Sequence, residues 1–251
     1  MKLLLDLGNT RLKWALEGDG RWFAHGAAAW SEDPALLGST WQTLPTPTAV
    51  FAASVVDPPR EQAVAEQVRA LFGQGIRWLR TPASACGVRS AYPEPGRLGV
   101  DRFLAMVAAH AAGAGDSVLV GVGTALTLDA LTADGQHLGG LIAPGPRLMQ
   151  QSLLGATAQV RPRNDGVLVD AADNTSDAVV SGCWQAAAAL VERFVARMVP
   201  RLNHAPAVRL DGGDAPGLAP LLAMPVAMIE HGVLHGLAVW AQTQSDVVPA
   251  R

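Results

Sequence analysis

Asp6, Gly8, Asn9 and Thr10 close an apolar run, Leu3-Leu4-Leu5-Asp6-Leu7, and lead out through Arg11, Leu12 and Lys13 to Trp14. The same plan returns in Val118-Leu119-Val120-Gly121-Val122-Gly123-Thr124-Ala125-Leu126-Thr127-Leu128-Asp129. In each copy an apolar run enters a turn built on Gly and Thr and leaves as an alternating stretch, the pattern of a β-hairpin with small donors at its tip. Gly8 and Gly123 let the backbone come close to a ligand, and Asn9, Thr10, Thr124 and Thr127 offer hydroxyl or amide donors beside exposed peptide N–H groups. Two such hairpins facing each other across a cleft would clamp a phosphate chain. Asp6 and Asp129 are the carboxylates expected to hold a magnesium ion, directly or through its waters.

Further chemistry lies in Gly99-Val100-Asp101-Arg102, at the start of a predicted helix. Asp101 is placed either as a helix N-cap or as a general base beside an attacking hydroxyl, the work a catalytic-loop Asp does in protein kinases. Arg102 beside it presents a planar fork suited to an anionic group. The Asp211-Gly212-Gly213 loop is a third glycine turn able to converge on the same ligand. Neither a Gly-x-x-x-x-Gly-Lys-Ser/Thr loop nor a Gly-x-Gly-x-x-Gly fingerprint occurs, which disfavours a P-loop ATPase or a standard dinucleotide enzyme. His231 and His235 stand four apart without the intervening Glu of a metalloprotease, and read as histidines on a helix surface.

These groups need a scaffold. Ala49 to Val55 reads as a buried strand, and Pro58-Pro59 opens a helix that ends at Gly73. A Pro- and Gly-rich loop from Pro82 to Gly99 carries Tyr92, the chain's one tyrosine, and a helix follows from Asp101 to His110. A second set of elements comprises the loop Gly139 to Gly145, a long helix from Thr175 to Val199, the Leu210-to-Asp214 loop and a final helix bearing Val233, Leu234, Leu237 and Trp240. Ala186 to Leu190 reads as a packed core helix, with a subunit interface through Trp184 and Phe194 as the alternative. Hairpins followed by helices, twice over, predict a duplicated α/β chain with halves 1–115 and 116–251, divided at Gly113-Ala114-Gly115.

With 251 residues, 49% of them hydrophobic, the chain can bury a sizeable core. A formal charge of −3 without a basic cluster argues against a nucleic-acid partner. Lys occurs only at positions 2 and 13, which makes Lys13 inside the first hairpin conspicuous. Cys86 and Cys183 lack metal-type spacing and are expected as reduced thiols. No apolar stretch reaches the roughly 18 residues of a spanning helix, and Asp6 interrupts the N-terminal run, so a cytoplasmic protein with no membrane association is expected.

Taken in order, Asp6-Leu7-Gly8-Asn9-Thr10, Gly99-Val100-Asp101-Arg102, Gly123-Thr124-Ala125-Leu126-Thr127-Leu128-Asp129, Gly139-Gly140-Leu141-Ile142-Ala143-Pro144-Gly145 and Asn174-Thr175 resemble the motifs of type III pantothenate kinases over most of the chain. The resemblance implies an actin-like, ribonuclease-H-like duplicated fold, shared with acetate and sugar kinases. It also implies the first step of coenzyme A synthesis, in which ATP and pantothenate give 4′-phosphopantothenate and ADP. By the same resemblance Asp6, Leu7, Gly8, Asn9, Thr10, Arg11, Leu12 and Lys13 form the first ATP hairpin. Thr124, Gly212 and Gly213 add ATP contacts, and Asp101 is the base. Tyr92, Gly99, Val100, Arg102 and Thr175 line the pantothenate pocket, which in this family lies at a homodimer interface.

One position departs from the pattern. The family often has Asp two residues before the Gly-Thr-Ala turn, where it helps hold an activating K+ or NH4+ ion; here that residue is Gly121, which has no carboxylate to offer. Two other functions compete with the kinase: a regulator without catalysis, of the kind described as a Bvg accessory factor, and an actin-like-fold kinase for a different small acceptor. The joint presence of Asp6, Asp101, Arg102 and Thr124 favours catalysis over a pure binding role, and the Tyr92-to-Arg102 segment points to pantothenate through the resemblance alone.

Overall fold

The computed structural model describes residues 1–31, 34–157 and 160–244, and it divides into two units. The first, Met1–Gly113 with the chain from Gly232 onward, begins with β1 (Lys2–Leu7), β2 (Arg11–Gly18) and β3 (Arg21–Ala29). It continues through α1 (Pro34–Gln42), β4 (Ala49–Ser54), α2 (Pro58–Phe72) and β5 (Ile76–Leu79). A small hairpin, β6 (Ser84–Ala85) and β7 (Val88–Arg89), precedes α3 (Val100–Ala111). The main sheet has the order β3-β2-β1-β4-β5, with β1 antiparallel to β2 and parallel to β4.

Local sequence explains these elements. Asp57 accepts a hydrogen bond from the Arg60 amide at 3.0 Å and Pro58 occupies the first turn of α2. Gly73 in the left-handed region then ends that helix, as the Pro-to-Gly asymmetry predicts. Alternation along β1 sends Leu3, Leu5 and Leu7 to one face, where they pack with Trp41, Val64 and Val68. Leu4 faces the other way, with Ala15, Phe51 and Ala53.

The second unit, Ala114–His231, repeats the plan. It contains β8 (Ser117–Val122), β9 (Ala125–Leu131), β10 (His137–Pro144), α4 (Pro146–Ala156), α5 (Thr175–Leu202), β11 (Ala207–Asp211), the short α6 (Ala215–Leu218) and β12 (Val226–Met228). Its sheet order, β10-β9-β8-β11-β12, places an antiparallel hairpin beside two parallel strands, as in the first sheet. Asn174 caps α5 by accepting from the Asp177 amide at 3.0 Å. No helix among the described residues is long and apolar enough to cross a membrane.

Four expectations need correction. The Gly139-to-Gly145 segment is not simply a loop: His137–Pro144 is strand β10, paired with β9, and Gly139 at φ 104° absorbs the register shift after His137. The division 116–251 fails at its C-terminal end, because α7 (Gly232–Thr243) belongs to the first unit. There Leu234, Leu237 and Ala241 cover Leu4, Phe51 and Leu104, and Gly236 lets α7 approach so closely that an added Cβ would lie 2.0 Å from the Leu104 carbonyl oxygen. Trp184 and Phe194 lie in the core of the second unit with Val120 and Leu128, so neither side chain forms a subunit interface. His231, at φ 58°, precedes α7, whereas His235 lies on it and stacks on Trp22 at 4.5 Å; the two do not share a helix face.

Candidate active site

In the first unit the β1–β2 turn is closed by the Gly8 amide donating to the Arg11 carbonyl at 3.0 Å. Trp30 fastens it from the side: its indole N–H donates to the Gly8 carbonyl at 2.7 Å and its amide to the Thr10 carbonyl at 3.2 Å. Asn9, Thr10 and Arg11 are exposed at the tip, while Leu7 and Leu12 are buried anchors whose side chains face the core. Neither leucine side chain is placed to meet a ligand. Asp6 and Lys13 are paired across the hairpin, which puts both side chains on one face of the sheet. That is the face of Leu4, which α3 and α7 cover, and Asp6 is only 7% exposed there.

Asp101 lies in the first turn of α3, one residue inside Val100, and the N-cap is Gly99. The capping alternative for Asp101 therefore falls away. Its carboxylate curls back over Gly99, since a Cβ there would sit 2.5 Å from Asp101 Oδ1, and its charge is favourably placed against the amino end of the helix dipole. Arg102, 5% exposed, donates from Nη1 to the Tyr92 hydroxyl at 3.2 Å, with its guanidinium 5.9 Å from the Tyr92 ring centre. Tyr92, Gly99, Asp101 and Arg102 are thus gathered at one helix start. Val100 packs among Leu4, Phe51 and Leu104 and offers a ligand no side chain.

In the second unit, the Gly123 amide donates to the Ala125 carbonyl at 3.0 Å, leaving Thr124 exposed at the tip. Two other loops fasten this turn. The Gly145 amide donates to the Thr124 carbonyl at 2.8 Å, and the Asp214 amide to the Val122 carbonyl at 3.1 Å. Both loops need glycine: an added Cβ would lie 1.8 Å from the Gly123 oxygen at Gly145, and 2.2 Å from the Val122 oxygen at Gly212, whose φ is 113°. The second hairpin and the Gly212-Gly213 loop therefore converge. Thr175, exposed at the first position of α5, is not part of that cluster of turns.

The metal expectations separate. Asp129 is 3% exposed and its Oδ1 lies 2.9 Å from Nε2 of buried His137, so it serves the interior of the sheet and not a magnesium ion. No group of three or more His, Cys, Asp or Glu side chains forms a metal cage among the described residues. A magnesium ion carried by nucleotide phosphates needs only one or two protein carboxylates, and Asp6 fits that role. An added Cβ on Gly121 would meet Thr127 Oγ1 at 2.6 Å, so a side chain at that position would require Thr127 to shift. Asp211 is the residue paired in register with Gly121 on the neighbouring strand. Burial pushes the Cys86 and Cys183 thiols up from their usual range, and both are free.

Sequence reasoning overlooked Trp30, Gly145, Arg147 and Asp214. Gly145 stood inside a recognised motif, and Trp30 in a tryptophan-rich stretch, but the Arg147–Asp214 contact spans 67 residues and leaves no local signal.

Known proteins resemble the chain over most of its length. Residues 2–197 match the family model described as type III pantothenate kinase. A type III pantothenate kinase from Aromatoleum aromaticum is 40% identical over 244 residues, 96% of this chain and 98% of that protein. Among solved structures, a Campylobacter jejuni protein described as a conserved Baf family transcriptional activator aligns with a TM-score of 0.64 at 19% identity, covering 98% of this chain and all of that one. The ROK hexokinase of Thermus thermophilus aligns with a TM-score of 0.52 at 14% identity, covering 97% and 99%. These likenesses show the duplicated actin-like, sugar-kinase-type α/β fold.

Proposed function

The chain belongs to the type III pantothenate kinase family, and from that premise we infer that it transfers the γ-phosphoryl group of ATP to pantothenate, the first step of coenzyme A biosynthesis. The observation that carries the reading is the gathering of Tyr92, Gly99, Asp101 and Arg102 at the start of α3.

In the mechanism we propose, Asp101 accepts the proton of the pantothenate 4′-hydroxyl as that oxygen bonds to the γ-phosphorus. The bond from that phosphorus to the β–γ bridging oxygen breaks, and ADP leaves with the electron pair. Arg102, oriented by Tyr92, takes the pantothenate carboxylate. The exposed donors of Asn9, Thr10, Arg11 and Thr124, with Lys13, bind ATP phosphates, Gly8 keeps the first turn tight enough for them to approach, Leu7 and Leu12 anchor that turn in the sheet, and Gly212 and Gly213 take the adenosine end. Asp6 would help hold a magnesium ion, which would supply neutralisation of the phosphate charge.

We also place Thr175 in the pantothenate pocket of a partner copy in a homodimer. Its exposure supports that role, as do the apolar Leu141, Ile142 and Leu153 left uncovered on β10 and α4, with Ile142 64% exposed. The proposed location is the cytoplasm. With Gly121 offering no carboxylate, the K+ or NH4+ requirement is proposed to be weak.

Asp101→Asn tests the assignment of the base. It should lower kcat by roughly 10²–10⁴ while ADP affinity and melting temperature hold. Wild-type turnover by this variant at saturating substrates would overturn it.

A further inference from the structure

The loops that fasten the second turn are joined to each other by one side-chain contact: Arg147 Nε donates to Asp214 Oδ1 at 2.7 Å. Arg147 is the second residue of α4, directly after the Gly145 loop, and Asp214 directly follows Gly213. The contact therefore closes a ring. It runs from the Gly123–Thr124 turn through the Gly145 amide to Arg147, across to Asp214, and back through the Asp214 amide to Val122.

Glycine loops have little side-chain packing to hold them. Gly213 shows this directly, since an added Cβ there meets nothing within 4 Å. Asp214 is largely covered, 12% exposed, while Arg147 is 73% exposed. So open an ion pair contributes little to global stability. Its effect falls on the placement of the loop it spans.

We propose that Arg147 and Asp214 are positioning residues for the nucleotide, a clamp that holds the Gly212–Gly213 loop in register with the Thr124 turn. The proposal rests on the reading of these turns as ATP contacts. Neither side chain is required to touch the nucleotide; each acts through the other.

The test uses the full-length protein with Arg147→Ala, Asp214→Asn and the double variant. ADP affinity is measured by calorimetry, melting temperature by scanning, and kcat and both KM values by pantothenate phosphorylation. Each single variant should weaken ADP binding about two- to fivefold, the factor expected for one exposed ion pair, and raise KM for ATP by the same factor. The kcat, the KM for pantothenate and the melting temperature should hold, and the double variant should be no worse than either single one. Unchanged ADP affinity in Arg147→Ala would overturn the clamp. So would losses that multiply in the double variant, or a parallel rise in both KM values with a lower melting temperature. Should the wild type bind ADP yet phosphorylate no pantothenate, the calorimetric series still decides the clamp, and only the functional reading fails.

Discussion

The two hairpin turns share a sequence plan and are built differently. The first is fastened by a single tryptophan, whose indole and amide reach the Gly8 and Thr10 carbonyls. The second is fastened by two glycine loops bonded through their backbones. The position of Asp6 in the first copy is taken by Gly121 in the second, where the in-register neighbour is Asp211. Only the first unit carries the Asp101–Arg102 helix start. The strand order repeats while the side chains differ: Tyr92, Asp101 and Arg102 gather in the first unit, and the second presents interlocked glycine turns.

That contrast can be broken at its rigid side first. Gly212→Ala forces a side chain into a left-handed conformation against the Val122 carbonyl, and Gly145→Ala drives one into the Gly123 carbonyl. Each should cost about 1–3 kcal/mol or more of stability and abolish measurable ADP binding, read by denaturation and calorimetry. Asp129→Ala should lower stability by about 1–3 kcal/mol, because His137 loses a buried partner, while the magnesium dependence of turnover stays at the wild-type value. In the first turn, Trp30→Phe removes one hydrogen bond and should raise KM for ATP roughly two- to tenfold, with kcat little changed. The smallest effect is expected from the monovalent ion: replacing K+ by Na+ should change kcat/KM by no more than about twofold, because the protein offers no carboxylate at position 121 to hold the ion.

Much of the fold was legible because its elements are amphipathic and punctuated. The two hairpins, the Pro58-to-Gly73 helix with its cap and stop, α3 and α5 all follow from periodicity and terminal residues. What was not legible depends on distant partners. The return of α7 to the first unit is set by Leu234 and Leu237 meeting Leu4 and Phe51, and by Gly236 meeting the Leu104 carbonyl. Strand β10 was obscured by its glycines, since pairing with β9 rather than local propensity makes it a strand. The site divided along the same line. Motif order singled out Asp6, Asp101 and the glycine turns as candidates, but the spacing of Asp129 said nothing of the face it occupies, and His137 claims it. Leu7, Leu12 and Val100 lie in site motifs yet point into the core, because a motif fixes positions along the chain and the pleat or helix turn decides which way each side chain goes.

The most direct measurement is phosphoryl transfer itself. Purified protein with magnesium and ATP is offered pantothenate, and in parallel a sugar or acetate, with ADP and the phosphorylated product followed together. Stoichiometric 4′-phosphopantothenate and ADP from pantothenate alone is the predicted result. ADP-binding, folded protein that leaves pantothenate unmodified, or that phosphorylates another acceptor in its place, would contradict the account.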